Sequence, residues 1–162
     1  MLFRSRQKFL GISGCASCGK SFIAGGAYSL VKWLSSPTDT SIFVTSTDVK
    51  GSRRRVWKDI SRLFQGFMGV GLDKMNPAMK LLDATAQIKL DPKKLPQGSV
   101  VAGGGIEIVA GEASAAKETC AKLQGTKAAF VILIADELPA LSHSIVETGM
   151  TNLIAKIGRA HV

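Results

Sequence analysis

The feature that most constrains the fold is a run of eight apolar residues from Ala128 to Ala135. Apolar and polar residues do not alternate along it, so the run predicts a central strand of a parallel sheet that is covered on both faces. It is the longest apolar run in the chain and falls far short of the roughly 20 residues that cross a bilayer. The sequence therefore predicts a layered domain without a transmembrane helix.

Segments with helical and strand spacing alternate along the chain, whose 162 residues suit about one domain. Strands are predicted at 8–13, 41–45, 86–90, 99–102, 106–110 and along the apolar run, with Gly103–Gly105 turning the chain into a hairpin. Helices are predicted at 20–34, after an N-cap at Thr47 or Asp48, at 114–123 and at 141–154, and a loop is predicted at 66–79. This alternation indicates an α/β layered fold.

A glycine-rich stretch lies between the first predicted strand and the helix at 20–34. It matches the phosphate-binding pattern G-x-x-x-x-G-K-[ST], and its residues are Gly14, Cys15, Ala16, Ser17, Cys18, Gly19, Lys20 and Ser21. The glycines let backbone N–H groups turn toward phosphate oxygens, and the helix adds the positive end of its dipole. We expect all eight residues to bind nucleotide, with Lys20 on the β- and γ-phosphates of ATP and the Ser21 hydroxyl on Mg²⁺.

Two carboxylates, Asp136 and Glu137, directly follow the apolar run. In a parallel α/β sheet the ligand crevice lies at the carboxyl ends of the strands, where these acids would stand. We expect Asp136 to hold Mg²⁺ and Glu137 to act as the general base that polarises the attacking water. The alternative is that a helix begins at Asp136 and that both acids cap it.

The charge of the chain is +9 and is unevenly placed. Residues 1–94 hold 16 basic and 6 acidic residues, whereas residues 95–162 hold 5 basic and 6 acidic ones. A basic half favours a polyanionic partner such as nucleic acid, nucleotide or an anionic membrane, although solubility alone would also account for it.

The three cysteines are too few for a disulfide framework, which fits a reducing cytosol. Cys15 and Cys18 lie inside the glycine-rich stretch and are interpreted as small loop residues rather than as zinc ligands. His143 is interpreted as a surface or packing residue.

The two ends of the chain carry patterns of their own. The basic start with Arg4, Arg6 and Lys8 resembles a secretory signal, or a lipoprotein signal with acylation at Cys15, but its apolar core is too short, so we expect no secretion. One possible back-translation of residues 156–162 contains the string of a common sequencing adapter, and the alternative is a genuine basic tail. The expected domain is therefore 1–155, with 156–162 a non-native tail.

Four stretches together resemble the N-terminal ATPase domain of the tailed-bacteriophage terminase large subunit, the motor that packages DNA. They are the phosphate-binding stretch at 14–21, the strand-plus-helix segment from Ile42 to Thr47 that leads into Arg54-Arg55-Val56-Trp57, the region around Gly103–Gly105, and residues 134–138. The resemblance covers most of residues 8–155.

The resemblance implies a P-loop NTPase fold of the additional-strand type, with a mainly parallel central sheet flanked by helices and an inserted β-hairpin. Lys20 and Ser21 would bind ATP and Mg²⁺, Asp136 would bind the metal, and Glu137 would be the catalytic carboxylate. The implied partners are double-stranded DNA, further copies of the chain in a ring, the portal and the small terminase subunit, in the host cytoplasm and away from membranes. The domain would be incomplete at its carboxyl end, without the coupling motif and the nuclease domain.

The chain departs from the family pattern because residues 15–18 contain no arginine, which many terminases have in or beside this loop. Arg54 or Arg55 could supply the missing charge as an arginine finger, including one that comes from a neighbouring subunit. A solvated helix face and a DNA contact are equally open for these arginines. The alternatives for the whole chain are another P-loop nucleic-acid motor, such as a helicase-like ATPase, or a non-enzymatic basic nucleic-acid-binding module.

Overall fold

The computed structural model describes residues 19–46, 48–72, 74, 76–136 and 141–158. The strand predicted at 8–13, residues 14–18 of the glycine-rich stretch, and Glu137 lie outside these ranges, as do the last four residues of the proposed adapter-derived tail. The account of the fold therefore begins at Gly19.

Five strands and four helices follow one another along these ranges. The strands are β1 (Thr40–Ser46), β2 (Met79–Leu82), β3 (Gln87–Leu90), β4 (Gly105–Ala110) and β5 (Phe130–Ala135). The helices are α1 (Ser21–Tyr28 continued by Ser29–Ser35), α2 (Val49–Ser52, Arg53–Trp57, Lys58–Phe67 and Met68–Leu72), α3 (Ala116–Gly125) and α4 (His143–Gly158). Among these residues, none of the helices is both long and apolar enough to cross a membrane.

The strands form one mixed sheet in the order β2-β3-β4-β1-β5. β1 runs parallel to β4 on one side and to β5 on the other, with Ile42 opposite Ile106 and Ile132. β3 runs antiparallel to both β2 and β4. The α/β class predicted from the sequence is confirmed, but the expected mainly parallel sheet is only partly so, because β2 and β3 run antiparallel to their neighbours.

The hairpin predicted around Gly103–Gly105 is wrong in its position. Residues 99–102 form no strand, and the N–H groups of Ala102 and Gly103 instead donate to the carbonyl of Thr38, at 2.9 and 2.6 Å. A Cβ atom at Gly103 would lie 2.6 Å from the carbonyl oxygen of Thr40, the first residue of β1, so glycine permits this close approach. The hairpin of the structure is β2–β3, which turns through Asp83–Thr85 and Ala86.

Both faces of the sheet carry an apolar core, and β1 is buried along its whole length. Side chains from α1 and α2 cover one face, and those from α3 and α4 cover the other. The first core includes Leu30, Trp33, Ile42, Val44, Val56, Ile60 and Phe64, and the second includes Phe43, Val109, Leu123, Val131 and Ile145. Full burial of each large apolar side chain contributes about 1.5–3 kcal/mol, so this packing fixes where the strand ends lie.

β5 packs on both faces of the sheet, as its apolar run predicts: Ile132 and Ile134 lie against the first core, and Val131 and Leu133 lie against the second. β5 is the last strand of the described sheet, and the strand predicted at 8–13 lies outside the described residues, so the central place of β5 stays a prediction.

One further prediction needs correction. The predicted loop at 66–79 begins as helix, because Met68 continues the apolar face of α2 one turn beyond Phe64, and Gly71, with φ +105°, departs from helical geometry.

Candidate nucleotide-binding site

Polar groups collect at the edge of the sheet where the parallel strands end. Ser46 is the last residue of β1, and Asp136 directly follows β5. The N–H of Asp136 donates to the carbonyl of Thr45 at 2.8 Å, which ties the end of β5 to the end of β1. The register of the two strands thus sets the position of the Asp136 carboxylate.

Helix α1 begins at the same edge. Gly19 has φ +82°, a value that glycine adopts readily, and its carbonyl accepts the N–H of Ile23 at 2.9 Å as the first turn forms. Farther along, Gly25 is buried against the side chain of Val56, which leaves no room for a larger residue. The close packing of α1 on α2 brings Lys20 and Ser21 toward the strand ends.

The two predicted metal ligands, Ser21 and Asp136, lie together. The Ser21 hydroxyl donates to Oδ1 of Asp136 at 3.3 Å, although the two residues are 115 positions apart in the chain. Both residues are half-buried. The alternative for this carboxylate, a helix that begins at Asp136, concerns residues 137–140, which lie outside the described ranges, and it stays open.

These two oxygens suit Mg²⁺ by their chemistry and their separation. Mg²⁺ prefers oxygen ligands at about 2.0–2.1 Å in an octahedral arrangement, so two neighbouring ligands stand about 3 Å apart. It usually binds through one or two carboxylates together with phosphate oxygens and water. Within the described ranges no three His, Cys, Asp or Glu side chains cluster around a common point, and an Mg²⁺–nucleotide site does not require such a cluster.

Arg55 joins this cluster from the first turns of α2. Its Nη2 donates to the Ser46 hydroxyl at 2.8 Å, and its Nε lies 3.9 Å from Oδ2 of Asp136. The Asp48 side chain caps α2 by accepting the N–H of Gly51 at 2.5 Å, as the sequence predicts for this position. Both arginines proposed as a finger are exposed on α2, and the contacts above bring Arg55 to the site.

Ser46 is the residue that the sequence analysis did not single out. It is fully buried and holds the Arg55 guanidinium, so it belongs to the cluster through that contact. The signal was available, since hydroxyl residues at the end of a buried strand need a partner. In the sequence, Ser46 stands within the segment from Ile42 to Thr47, which carries part of the family resemblance and which suggested no contact of its own.

The remaining candidate residues are placed as follows. Lys20 is half-buried directly before Ser21, and His143 is exposed at the first residue of α4. Gly14, Cys15, Ala16, Ser17, Cys18 and Glu137 lie outside the described residues, and their roles stay predictions.

Comparisons with protein-family models, with curated proteins and with solved structures find no match for this chain. What can be said of the site therefore rests on its own residues and on their geometry.

Proposed function

We propose that the chain is an ATPase domain that binds Mg²⁺–ATP at the edge where β1 and β5 end. The observation that carries the proposal is the 3.3 Å contact between the Ser21 hydroxyl and the Asp136 carboxylate. The sequence assigns the first to a phosphate-binding loop and the second to the end of a strand, each on its own pattern. Two independent patterns that converge on one point support a single ligand site.

Each residue has a definite task in this proposal. Lys20, at the amino end of α1, neutralises the β- and γ-phosphates, and the helix dipole adds to the attraction. Ser21 and Asp136 hold Mg²⁺, which offsets negative charge on the phosphate oxygens. Glu137, next to Asp136 in the sequence, orients a water molecule and accepts its proton.

The biological setting that we propose is DNA packaging by the terminase large subunit of a tailed bacteriophage. It rests on the family resemblance and on the basic charge of the chain. Arg54, Lys58 and Arg62 are exposed on α2 and could meet DNA phosphates without reading sequence. Assembly into a ring, contacts with the portal and the small subunit, and action in the host cytoplasm belong to the same proposal.

A second candidate function is a basic nucleic-acid-binding module without ATPase activity. The same exposed arginines and lysines favour it, because backbone binding needs only positive charge at the right spacing. The two candidates differ in nucleotide binding, which the module does not require.

Nucleotide titration of the purified chain separates them. We expect ATP to bind in the presence of Mg²⁺ and Lys20→Ala to abolish this binding, because the phosphates lose their point charge. Lys32→Ala is the matched control, since Lys32 is exposed on the same helix and lies 5.8 Å above the ring of Tyr28. A wild-type chain that binds nucleic acid and no ATP would support the module instead.

The enzymatic part of the proposal has its own test. Glu137→Gln should leave ATP affinity intact and stop turnover, because the amide cannot accept the proton from water. The assay measures ATP affinity and phosphate release side by side, in the assembled motor if the chain alone does not hydrolyse ATP. Normal phosphate release by this variant would show that Glu137 is not the base.

A further inference from the structure

Arg55 links the ends of two parallel strands through one side chain. Its guanidinium contacts the Ser46 hydroxyl, after which β1 ends, and the carboxylate of Asp136, which follows β5. We propose that Arg55 is a positioning residue: it serves as the counter-ion of Asp136 before nucleotide binds and yields this carboxylate to Mg²⁺ when the metal arrives. The inference rests on the proposed nucleotide site and adds to it a role for a residue of α2.

The geometry of the carboxylate carries the first step of the argument. Oδ1 of Asp136 accepts the Ser21 hydroxyl at 3.3 Å, while Oδ2 faces Arg55 Nε at 3.9 Å. Each oxygen therefore has a partner from a different helix. Partial burial disfavours the charged form of a carboxylate unless an opposite charge or a hydrogen bond compensates for it. The Arg55 guanidinium supplies such a charge.

The weakness of the ion pair carries the second step. The separation of 3.9 Å exceeds hydrogen-bond length, and the two side chains are 43% and 24% exposed. Pairs of this kind contribute little to stability, so a divalent cation can replace the arginine at small cost. The contact of Arg55 with the buried Ser46 is shorter, at 2.8 Å, and it keeps the guanidinium near the site after the carboxylate is released.

Opposite effects on two binding constants follow from this arrangement. Without metal, Arg55 masks the negative charge of Asp136, so its loss makes the site repel the phosphates of ATP. With metal, Arg55 competes for the carboxylate and repels the cation, so its loss makes Mg²⁺ bind more readily. Removal of Arg55 should thus weaken metal-free ATP binding and enlarge the gain in affinity that Mg²⁺ provides.

The experiment is an ATP titration of the full chain, first in EDTA and then in Mg²⁺. For Arg55→Gln we expect ATP affinity in EDTA to fall about three- to tenfold and the ratio of affinities with and without Mg²⁺ to rise by at least the same factor. Arg55→Lys should restore part of the affinity in EDTA, because it returns the charge. Lys89→Gln is the control for net charge, as Lys89 is exposed on β3.

Ser46→Ala provides a second variant that leaves every charge in place. Because it removes only the hydroxyl that anchors Arg55, it should shift both the ATP affinity in EDTA and the gain from Mg²⁺ in the same directions as Arg55→Gln, by smaller factors.

Equal losses of affinity with and without Mg²⁺ in Arg55→Gln would indicate a structural role or a direct phosphate contact, and would overturn the inference. Unchanged constants would overturn it as well. A wild-type chain that binds no ATP under either condition would instead remove the proposed function, and the inference with it.

Discussion

Two charged clusters on the sheet have contrasting geometry. In the first, Lys122 of α3 lies 2.8 Å from Oε1 of Glu107 on β4 and 3.4 Å from Glu118 of its own helix. In the second, Arg55 lies 3.9 Å from Asp136, whose other oxygen accepts a serine hydroxyl. In the first cluster, contacts of 2.8 and 3.4 Å join opposite charges. In the second, the described ion pair is 3.9 Å long, and hydroxyl and carboxylate oxygens lie next to each other.

The contrast separates a structural ion pair from a ligand site. The hydrogen bond to Glu107 raises the pKa of Lys122 from its ordinary value of 10.5, with burial opposing the shift and Glu118 adding to it. A raised lysine pKa means that the folded state favours the charged form. The described ion pair of the Asp136 cluster, to Arg55, is longer at 3.9 Å, and the Ser21 and Asp136 oxygens stand where a cation could join them. We therefore interpret the short Lys122–Glu107 ion pair as stabilising the fold, and the neighbouring oxygens of Ser21 and Asp136 as a place for a cation to bind.

The strongest way to break this comparison is to neutralise Asp136. In Asp136→Asn we expect the gain in ATP affinity that Mg²⁺ provides to fall by about tenfold or more, because a charged metal ligand becomes a neutral one. The measurement is ATP titration with and without Mg²⁺, with Asp91→Asn as the control, since Asp91 caps the turn at Lys93 on another part of the surface. An unchanged response to Mg²⁺ would place the metal elsewhere.

The second test removes the structural pair. Lys122→Met should lower the free energy of unfolding by about 0.5–1 kcal/mol, because the side chain is 41% exposed and water screens the pair. That loss corresponds to a fall of about 1–4 °C in Tm for a chain of this size. ATP affinity should not change. Lys117→Met, at an exposed position of the same helix, controls for the loss of charge, and a change in nucleotide binding specific to Lys122→Met would erase the distinction between the clusters.

The smallest effect is a dependence of stability on alkaline pH. Because the pKa of Lys122 is raised in the folded state, its contribution is complete below the ordinary value of 10.5 and is lost as the pH rises through the folded pKa. Screening at this half-exposed position keeps the contribution below about 1 kcal/mol. Urea unfolding of wild type and Lys122→Met should give midpoints that differ at pH 9 and converge above the folded pKa. A difference that widened at high pH would contradict the assignment.

Local patterns predicted the elements whose signals come from neighbouring residues. Helix α1 follows the apolar spacing read at 20–34, and β1 contains the predicted strand at 41–45. Asp48 caps α2 because its side chain reaches the N–H of a residue three positions later, which is a purely local interaction.

Elements defined by long-range partners were predicted less well. β4 pairs with β3, with Ile88 opposite Ile106, and residues 99–102 form no strand. The hairpin predicted around Gly103–Gly105 therefore lacks its first strand. The glycines at 103–105 indicate that the backbone approaches another group closely. At Gly103 that group is the backbone of Thr40 in β1, and not the other strand of a hairpin.

The site shows the same division. The types and spacing of Lys20, Ser21 and Asp136 predict a nucleotide and metal site, and the structure places Ser21 beside Asp136. The sequence could not choose between Arg54 and Arg55, because only the rotation of α2 about its axis decides which one faces the strand ends. Ser46 was missed for a related reason: its importance depends on a contact with a helix that follows it.

The central claim is that the Ser21 hydroxyl and the Asp136 carboxylate hold one Mg²⁺ ion together with a nucleoside triphosphate. The most direct test is a crystal structure of the chain with Mn²⁺ and a non-hydrolysable ATP analogue, in which anomalous scattering locates the metal. The account predicts one metal peak about 2.1 Å from Ser21 Oγ and from an Asp136 carboxylate oxygen, bridged to the phosphates. Nucleotide and metal bound away from this pair of side chains would contradict it.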